Sequence, residues 1–226
     1  MKLIRQILVA ALLAGASASA MAVADKTVTD KAATDKVVNY TIDPAHSFVH
    51  FSWSHVGFSN PMADFTQVNG TIMGNQTHPE KSSVSVTMPV KSLDTHVPLL
   101  NEHLIDSGDY FKSKEFPGVT FKSTGIKALD KKKKTFQLLG ELTVNGISKP
   151  VVLQATLNKA GPHPFYENAD AAGFNATTRL KRSAFGIDKF VPMVSDELDV
   201  TITVEAIEAV AFQKMLDKQK ADAAKK

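Results

Sequence analysis

The chain has 226 residues, a formal net charge of +3, no cysteine, and 43% hydrophobic against 22% charged residues. That composition excludes bulk disorder, a disulfide-stapled miniprotein and thiol chemistry, and it allows one substantial core. Lys2 and Arg5 stand ahead of an apolar run over 7–14 and the small-residue run GASASA, the three parts of a secretory signal peptide. Cleavage after Ala20 fits Ala18-x-Ala20, with Ala22-x-Ala24 as a second site, and loss of Lys2 and Arg5 lowers the formal charge to +1. The basic balance is therefore no nucleic-acid signal. No later run approaches the roughly 20 apolar residues of a membrane span, so the expected location is the periplasm.

The expected organisation is a signal peptide over 1–20, a polar linker over 21–38, one globular domain over 39–208 and a polar, helix-prone tail over 209–226. The linker carries a TDK repetition and few groups worth burying. From Tyr40 onward, aromatic and β-branched residues arrive in short runs separated by Gly, Pro, Asn and Asp, the texture of an antiparallel β domain. Around Phe48, an extended chain puts Val49, Phe51 and Trp53 on one face and Phe48, His50 and Ser52 on the other.

Seven further runs follow: FTQVNGTIMG, SSVSVTMPV, GVTFKSTGI, KTFQLLGELTV, VVLQATLN, GFNATTRL and DELDVTITVEAI. Period-two sets run through them, such as Val84, Val86 and Met88, or Leu198, Val200, Ile202 and Val204. Asn145-Gly146 between two runs predicts a tight hairpin. Eight strands favour closure, since a barrel has no exposed edges and at this size can enclose one small ligand. The one interior helix expected, over 98–109, would turn Leu99, Leu100, His103, Leu104 and Ile105 inward and close one end. The fold class is all-β: an extended eight-stranded antiparallel barrel with a short helix near one end.

Four ordered segments, YTIDPAHSFVHFSWSHVGF, HLIDSGDYFKSKEFPGVTFKS, LLGELTVNGISKPVVL and GFNATTRLKRSAFGID, resemble the YceI-like family of exported, lipocalin-shaped proteins, from about Tyr40 to Ala206. Matching positions include Asp43, His46 and Ser47, Tyr110-Phe111, Phe116-Pro117, Gly140, Gly146 and the late Arg182-Ser183-x-Phe185-Gly186-Ile187 pattern. The resemblance implies a barrel that holds a long isoprenoid or related amphiphile, a polyprenyl quinone or polyprenyl phosphate, without a further cofactor. The expected partner is that amphiphile, with a transient contact with the inner membrane and a second copy of the chain left open beside it.

Candidate wall residues are Phe48, Phe51, Trp53, Phe58, Phe65, Phe121, Phe136, Leu138 and Phe174, each equally suited to ordinary packing because strand phase does not say which face is luminal. His46, Ser47 and Arg182 are the candidates for a polar head group. The first two serve equally to anchor the first strand beside Asp43, and Arg182 to form a barrel-edge ion pair with Asp188. The Lys131–Lys134 run reads as a solvated connection or as a contact for anionic lipid heads. His46 and His50, about 13 Å apart on a regular strand, could not share one ion. With no nucleophile elbow, P-loop or dinucleotide motif, the expected protein is a binder without enzymatic activity or a resident metal. The competing expectation is an envelope stress or protein-interaction module whose barrel is solid.

Overall fold

The structure is a computed structural model that describes residues 34–225. The expected signal peptide and the linker up to residue 33 lie outside the described residues. Among these residues no helix is long and apolar enough to cross a membrane.

The period-two runs are strands, and they wind as one antiparallel meander. In chain order these are β1 (Val37–Ile42), β2 (Phe48–Ser52), β3 (Met62–Phe65), β4 (Asn69–Asn75), β5 (Ser83–Pro89), β6 (Leu93–Asp94), β7 (Gly118–Asp130), β8 (Thr135–Val144), β9 (Ile147–Pro162), β10 (Asp170–Lys181) and β11 (Glu197–Glu208). Eleven segments occupy eight positions around a closed barrel. β1 and β2 both pair with β11, at Ala206–Glu208 and Asp199–Thr203 respectively. They are two halves of one strand, split by the Asp43–Ser47 stretch. The next two positions are split in the same way, into β3 with β4 and β5 with β6, because β3 pairs with β2 and β6 while β4 pairs with β1 and β5. The pairing of β1 with both β4 and β11 closes the circle.

Local chemistry accounts for the breaks. Asp43 Oδ1 accepts the Ala45 amide at 2.9 Å, an Asx turn that lifts the chain off β11. At the second break, the amide and the hydroxyl of Thr66 both donate to the Ser92 carbonyl. The β8–β9 hairpin forms as the Asn145-Gly146 pair predicts, with φ of 50° and 73° at its two turn residues. Gly146 is required twice over, since a Cβ there would lie 2.5 Å from the Phe116 ring. Gly140 makes room for another aromatic: the Phe121 ring from β7 lies over it, 2.4 Å from where a Cβ would stand.

Consecutive strands alternate in direction, which sorts the connections into two groups. The β4–β5, β7–β8 and β9–β10 connections share one end with the start of β1 and the finish of β11. The other end holds the β2–β3, β8–β9 and β10–β11 connections and the long link from β6 to β7. That link carries helix α1 (Pro98–Asp106), which starts on a proline as first turns allow and stops short of the expected Asp109. Only Leu104 of its anticipated apolar side is buried, and Leu99 is 76% exposed. The stretch after β11 is helix α2 (Ala209–Ala223), whose first turns dock through Phe212 onto Ile207 and Ala171.

Candidate functional site

The strand residues that alternate inward enclose a cavity of about 680 Å³. Its wall is hydrocarbon over most of its length. β11 contributes Leu198, Val200, Ile202 and Val204, the set expected from alternation, and β9 contributes Val151, Leu153, Ala155 and Leu157. Small residues keep the interior wide: Ala155 on β9 lies directly opposite Ala176 on β10, and both face the cavity. The barrel is hollow, which corrects the alternative expectation of a solid one. A cavity of this size lies within the range of small-molecule sites, about 300–1,000 Å³.

Its two ends differ. At the α1 end the lining residues Arg182, Phe185, Ile187 and Val144 are buried. At the opposite end the lining passes to Gln76, Lys131, Lys134 and Ala160, all exposed, together with Asp170 and Asn175. The cavity therefore opens between the β4–β5, β7–β8 and β9–β10 connections. At this mouth Gln76 Nε2 donates to the Tyr40 hydroxyl at 3.3 Å and to Asp170 at 3.4 Å.

Six of the nine expected wall residues line the cavity: Phe51, Phe65, Phe121, Phe136, Leu138 and Phe174. Phe136 and Phe174 meet edge to face, with centroids 6.3 Å apart. Phe51, Phe65 and Phe111 form an aromatic row at the closed end, with successive centroids 6.0 Å apart. The other three stand outside the wall. Phe48 falls on the outward face of β2, opposite in phase to Phe51. Trp53 shares the phase of Phe51 but lies past the end of β2, half-buried against the Phe51 ring at 5.9 Å. Phe58 projects from the β2–β3 connection and is 91% exposed.

The polar candidates have structural partners. Arg182 reaches the cavity floor, but its guanidinium donates to the carbonyls of Ser195 (2.8 Å), Ile187 (3.0 Å) and Val194 (2.9 Å). These bonds, and no ion pair with Asp188, hold the β10–β11 connection across the end of the barrel. Burial pulls the Arg182 pKa down from its ordinary value, which the neighbouring Tyr110, Asp196 and Asp188 only partly offset. Ser47 and His46 belong to the break between β1 and β2, on the outside of the barrel. The fully buried Ser47 hydroxyl accepts the Glu205 amide and donates to the Glu205 carbonyl.

Among the described residues, one group gathers metal-ligating atoms: Asp43, His46 and Glu205, within 4.8 Å of one another. Hydrogen bonds already engage them. Asp43 Oδ2 pairs with His46 Nδ1 at 2.7 Å and accepts the Tyr166 hydroxyl at 3.0 Å, and Glu205 Oε1 lies 3.2 Å from His163 Nε2. Burial opposes ionisation of Asp43, yet His46, the Ala45 amide and Tyr166 outweigh it and hold the carboxyl below its ordinary pKa. Burial, followed by the Asp43 carboxylate, pushes the Tyr166 hydroxyl up to about 12. Asp43 is thus the charged hub that ties the β1–β2 break to the β9–β10 connection. Strand alternation gave no sign of this cluster, since its members come together only when β11 crosses the break.

The arrangement can solvate hydrocarbon along the wall and satisfy polar atoms at the mouth, which is the chemistry of a lipid-binding site. Comparisons with known proteins agree in fold and extent. The model of the YceI-like domain matches residues 40–206. A UPF0312 protein of Azotobacter vinelandii is 35% identical over 171 residues, covering 75% of this chain and 86% of that one. The crystal structure of Campylobacter jejuni YCEI protein is 27% identical with a TM-score of 0.61, covering 69% of this chain and 89% of that one. A polyisoprenoid binding domain from Saccharophagus degradans, implicated in plant cell wall breakdown, shares the fold at 11% identity and a TM-score of 0.57, covering 76% and 99%. With the break motif and the late arginine loop inside the matched span and nearly all of the barrel with them, this chain belongs to the YceI-like family.

Proposed function

We propose that this protein binds one long isoprenoid lipid, a polyprenyl quinone or polyprenyl phosphate, inside its barrel and sequesters or carries it through the periplasm. The observation that carries this reading is the continuous hydrocarbon wall of a cavity of about 680 Å³ that is open at one end. Each CH₂ moved from water to such a wall gains roughly 0.8 kcal/mol. Association and ordering of the tail cost several kcal/mol or more. A prenyl chain of several units is thus favoured over a short apolar molecule. The polyisoprenoid-binding domain of Saccharophagus degradans, which has the same fold, supports the same class of cargo.

In this reading the tail lies against Phe51, Phe65, Phe121, Phe136, Leu138 and Phe174, and the head stays at the mouth near Gln76, Asn175 and the two rim lysines. Arg182, His46 and Ser47 hold the ends of strands in place. Native mass spectrometry of the purified protein, paired with denaturing lipid extraction, tests the proposal. The expected result is a stoichiometric isoprenoid that is lost on delipidation and returns on reconstitution. Protein that is reproducibly empty and refuses reconstitution with polyprenyl lipids would overturn it.

A further inference from the structure

We propose that the open end of the barrel docks on an anionic bilayer surface, with Lys131–Lys134 as its electrostatic contact and Phe165 as its apolar anchor. Two observations converge at this end. The β7–β8 turn carries four consecutive exposed lysines, and two of them, Lys131 and Lys134, line the cavity mouth. Among the described residues only Lys133 of the four has a carboxylate within 4.0 Å, Asp130 at 3.9 Å. Asp130 Oδ1 also accepts the Lys132 and Lys133 amides, which fixes the turn that carries the lysines.

The second observation is Phe165, in the β9–β10 connection at the same end, 87% exposed. The connection that presents it is ordered. Its neighbour Tyr166 is pinned by its hydroxyl to Asp43 and stacks on Phe212 of α2, while the His163 carbonyl accepts the amides of Tyr166 and Asn168. A turn anchored through one aromatic therefore displays the next one to solvent. Acids share this end: Asp35 pairs with Lys81 and Glu167 with Lys214, while Asp170 accepts from Gln76, Glu80 stands beside His78 and Glu208 ends β11. Clustered lysines near a surface attract anionic lipids, and an aromatic beside them suits the headgroup boundary. With the mouth at this same end, a lipid would pass between bilayer and cavity without exposing its tail to water.

The inference rests on the lipid-binding reading for its purpose, and its test separates the two. Protein purified from cells expressing the full chain is sedimented with vesicles of phosphatidylcholine alone and of phosphatidylcholine mixed equally with phosphatidylglycerol. Binding should require phosphatidylglycerol and fall steeply with added salt. The K132Q/K133Q variant, which leaves the two mouth-lining lysines in place, should partition about tenfold more weakly, and Phe165→Ser several-fold more weakly, roughly the loss of one apolar anchor. Lys132, Lys133 and Phe165 are exposed and do not line the cavity, so thermal melts and retention of cavity lipid should be unchanged. Equal binding to both vesicles, salt-insensitive binding, or undiminished binding by the lysine variant would overturn the docking surface. Docking that fails while the cavity still loads lipid leaves the carrier reading intact, and the reverse result removes the carrier reading alone.

Discussion

The Ser47 hydroxyl spans 158 positions of sequence to engage both backbone groups of Glu205, accepting its amide at 3.1 Å and donating to its carbonyl at 3.3 Å. The Asp43 amide also donates to that carbonyl, at 2.8 Å. Ser47 therefore supplies what the interrupted strand would otherwise have given the Glu205 N–H. Ser47→Ala should leave a buried amide without a partner and cost about 1–3 kcal/mol, read as a lower urea midpoint at unchanged slope. A midpoint within error of the parent would show that the amide finds another acceptor.

Arg182 gives a second stability prediction. Replacing it by glutamine withdraws donors from three carbonyls that hold the β10–β11 connection over the barrel floor. The expected loss is about 3 kcal/mol, a fall in Tm of roughly 6–12 °C for a domain of this size. Discrimination between phosphate and quinone head groups should not change. A variant that folds normally but loses that discrimination would return Arg182 to the binding site.

Trp53→Leu separates packing from cargo contact. Because Trp53 packs against Phe51 without reaching the cavity, the substitution should lower the melting temperature while the protein still retains lipid after gel filtration. Selective loss of lipid at full stability would contradict the placement of the indole.

Filling the cavity should do the opposite. Ala176 faces the lumen across from Ala155, and Ala176→Trp would put an indole where the tail is proposed to lie. Lipid occupancy by native mass spectrometry should fall at least about tenfold. The cost in stability should stay below the roughly 1–3 kcal/mol of an overpacked core, since the site is hollow. Undiminished loading would place the tail elsewhere.

The β1–β2 break should respond to pH through His46. The hydrogen bond to Asp43, then its charge, raises the His46 pKa above the ordinary value of about 6.5. Such a group stabilises the fold fully below its unfolded pKa, and the contribution fades as pH rises through the folded one. Asp43, held below its ordinary pKa of about 3.9, contributes fully above that value and loses its share as pH falls through the folded pKa. The Tm difference between parent and His46→Gln should thus be largest from about pH 4 to 6.5 and shrink at higher pH. A difference independent of pH would assign His46 to packing alone.

Much of the barrel was legible because alternation is a local signal. Each of the eight sequence runs became one position in the meander, and Asn145-Gly146 became the tight hairpin between β8 and β9. What escaped were features decided at a distance. β1 begins at Val37, inside the stretch expected to be linker, because VVNYTI is held by β4 and β11 rather than by its own pattern. Phase placed Phe48 and Phe51 on opposite faces without saying which face was luminal, so both stood as wall candidates until the sheet closed. His46 and Ser47 looked like head-group ligands for the same reason: their partner Glu205 is far away in sequence.

The closed end of the cavity rests on side chains from connections rather than on strand pairing. Phe111 follows α1, and Phe185 and Ile187 lie between β10 and β11. The barrel thereby works as a sheath whose depth is set by a separate stopper. Trimming or enlarging Phe111 or Phe185 would move the stop without disturbing any strand register. Proteins with the same sheet can in this way differ in cavity depth, by substitutions at two or three positions that carry none of the meander's hydrogen bonds.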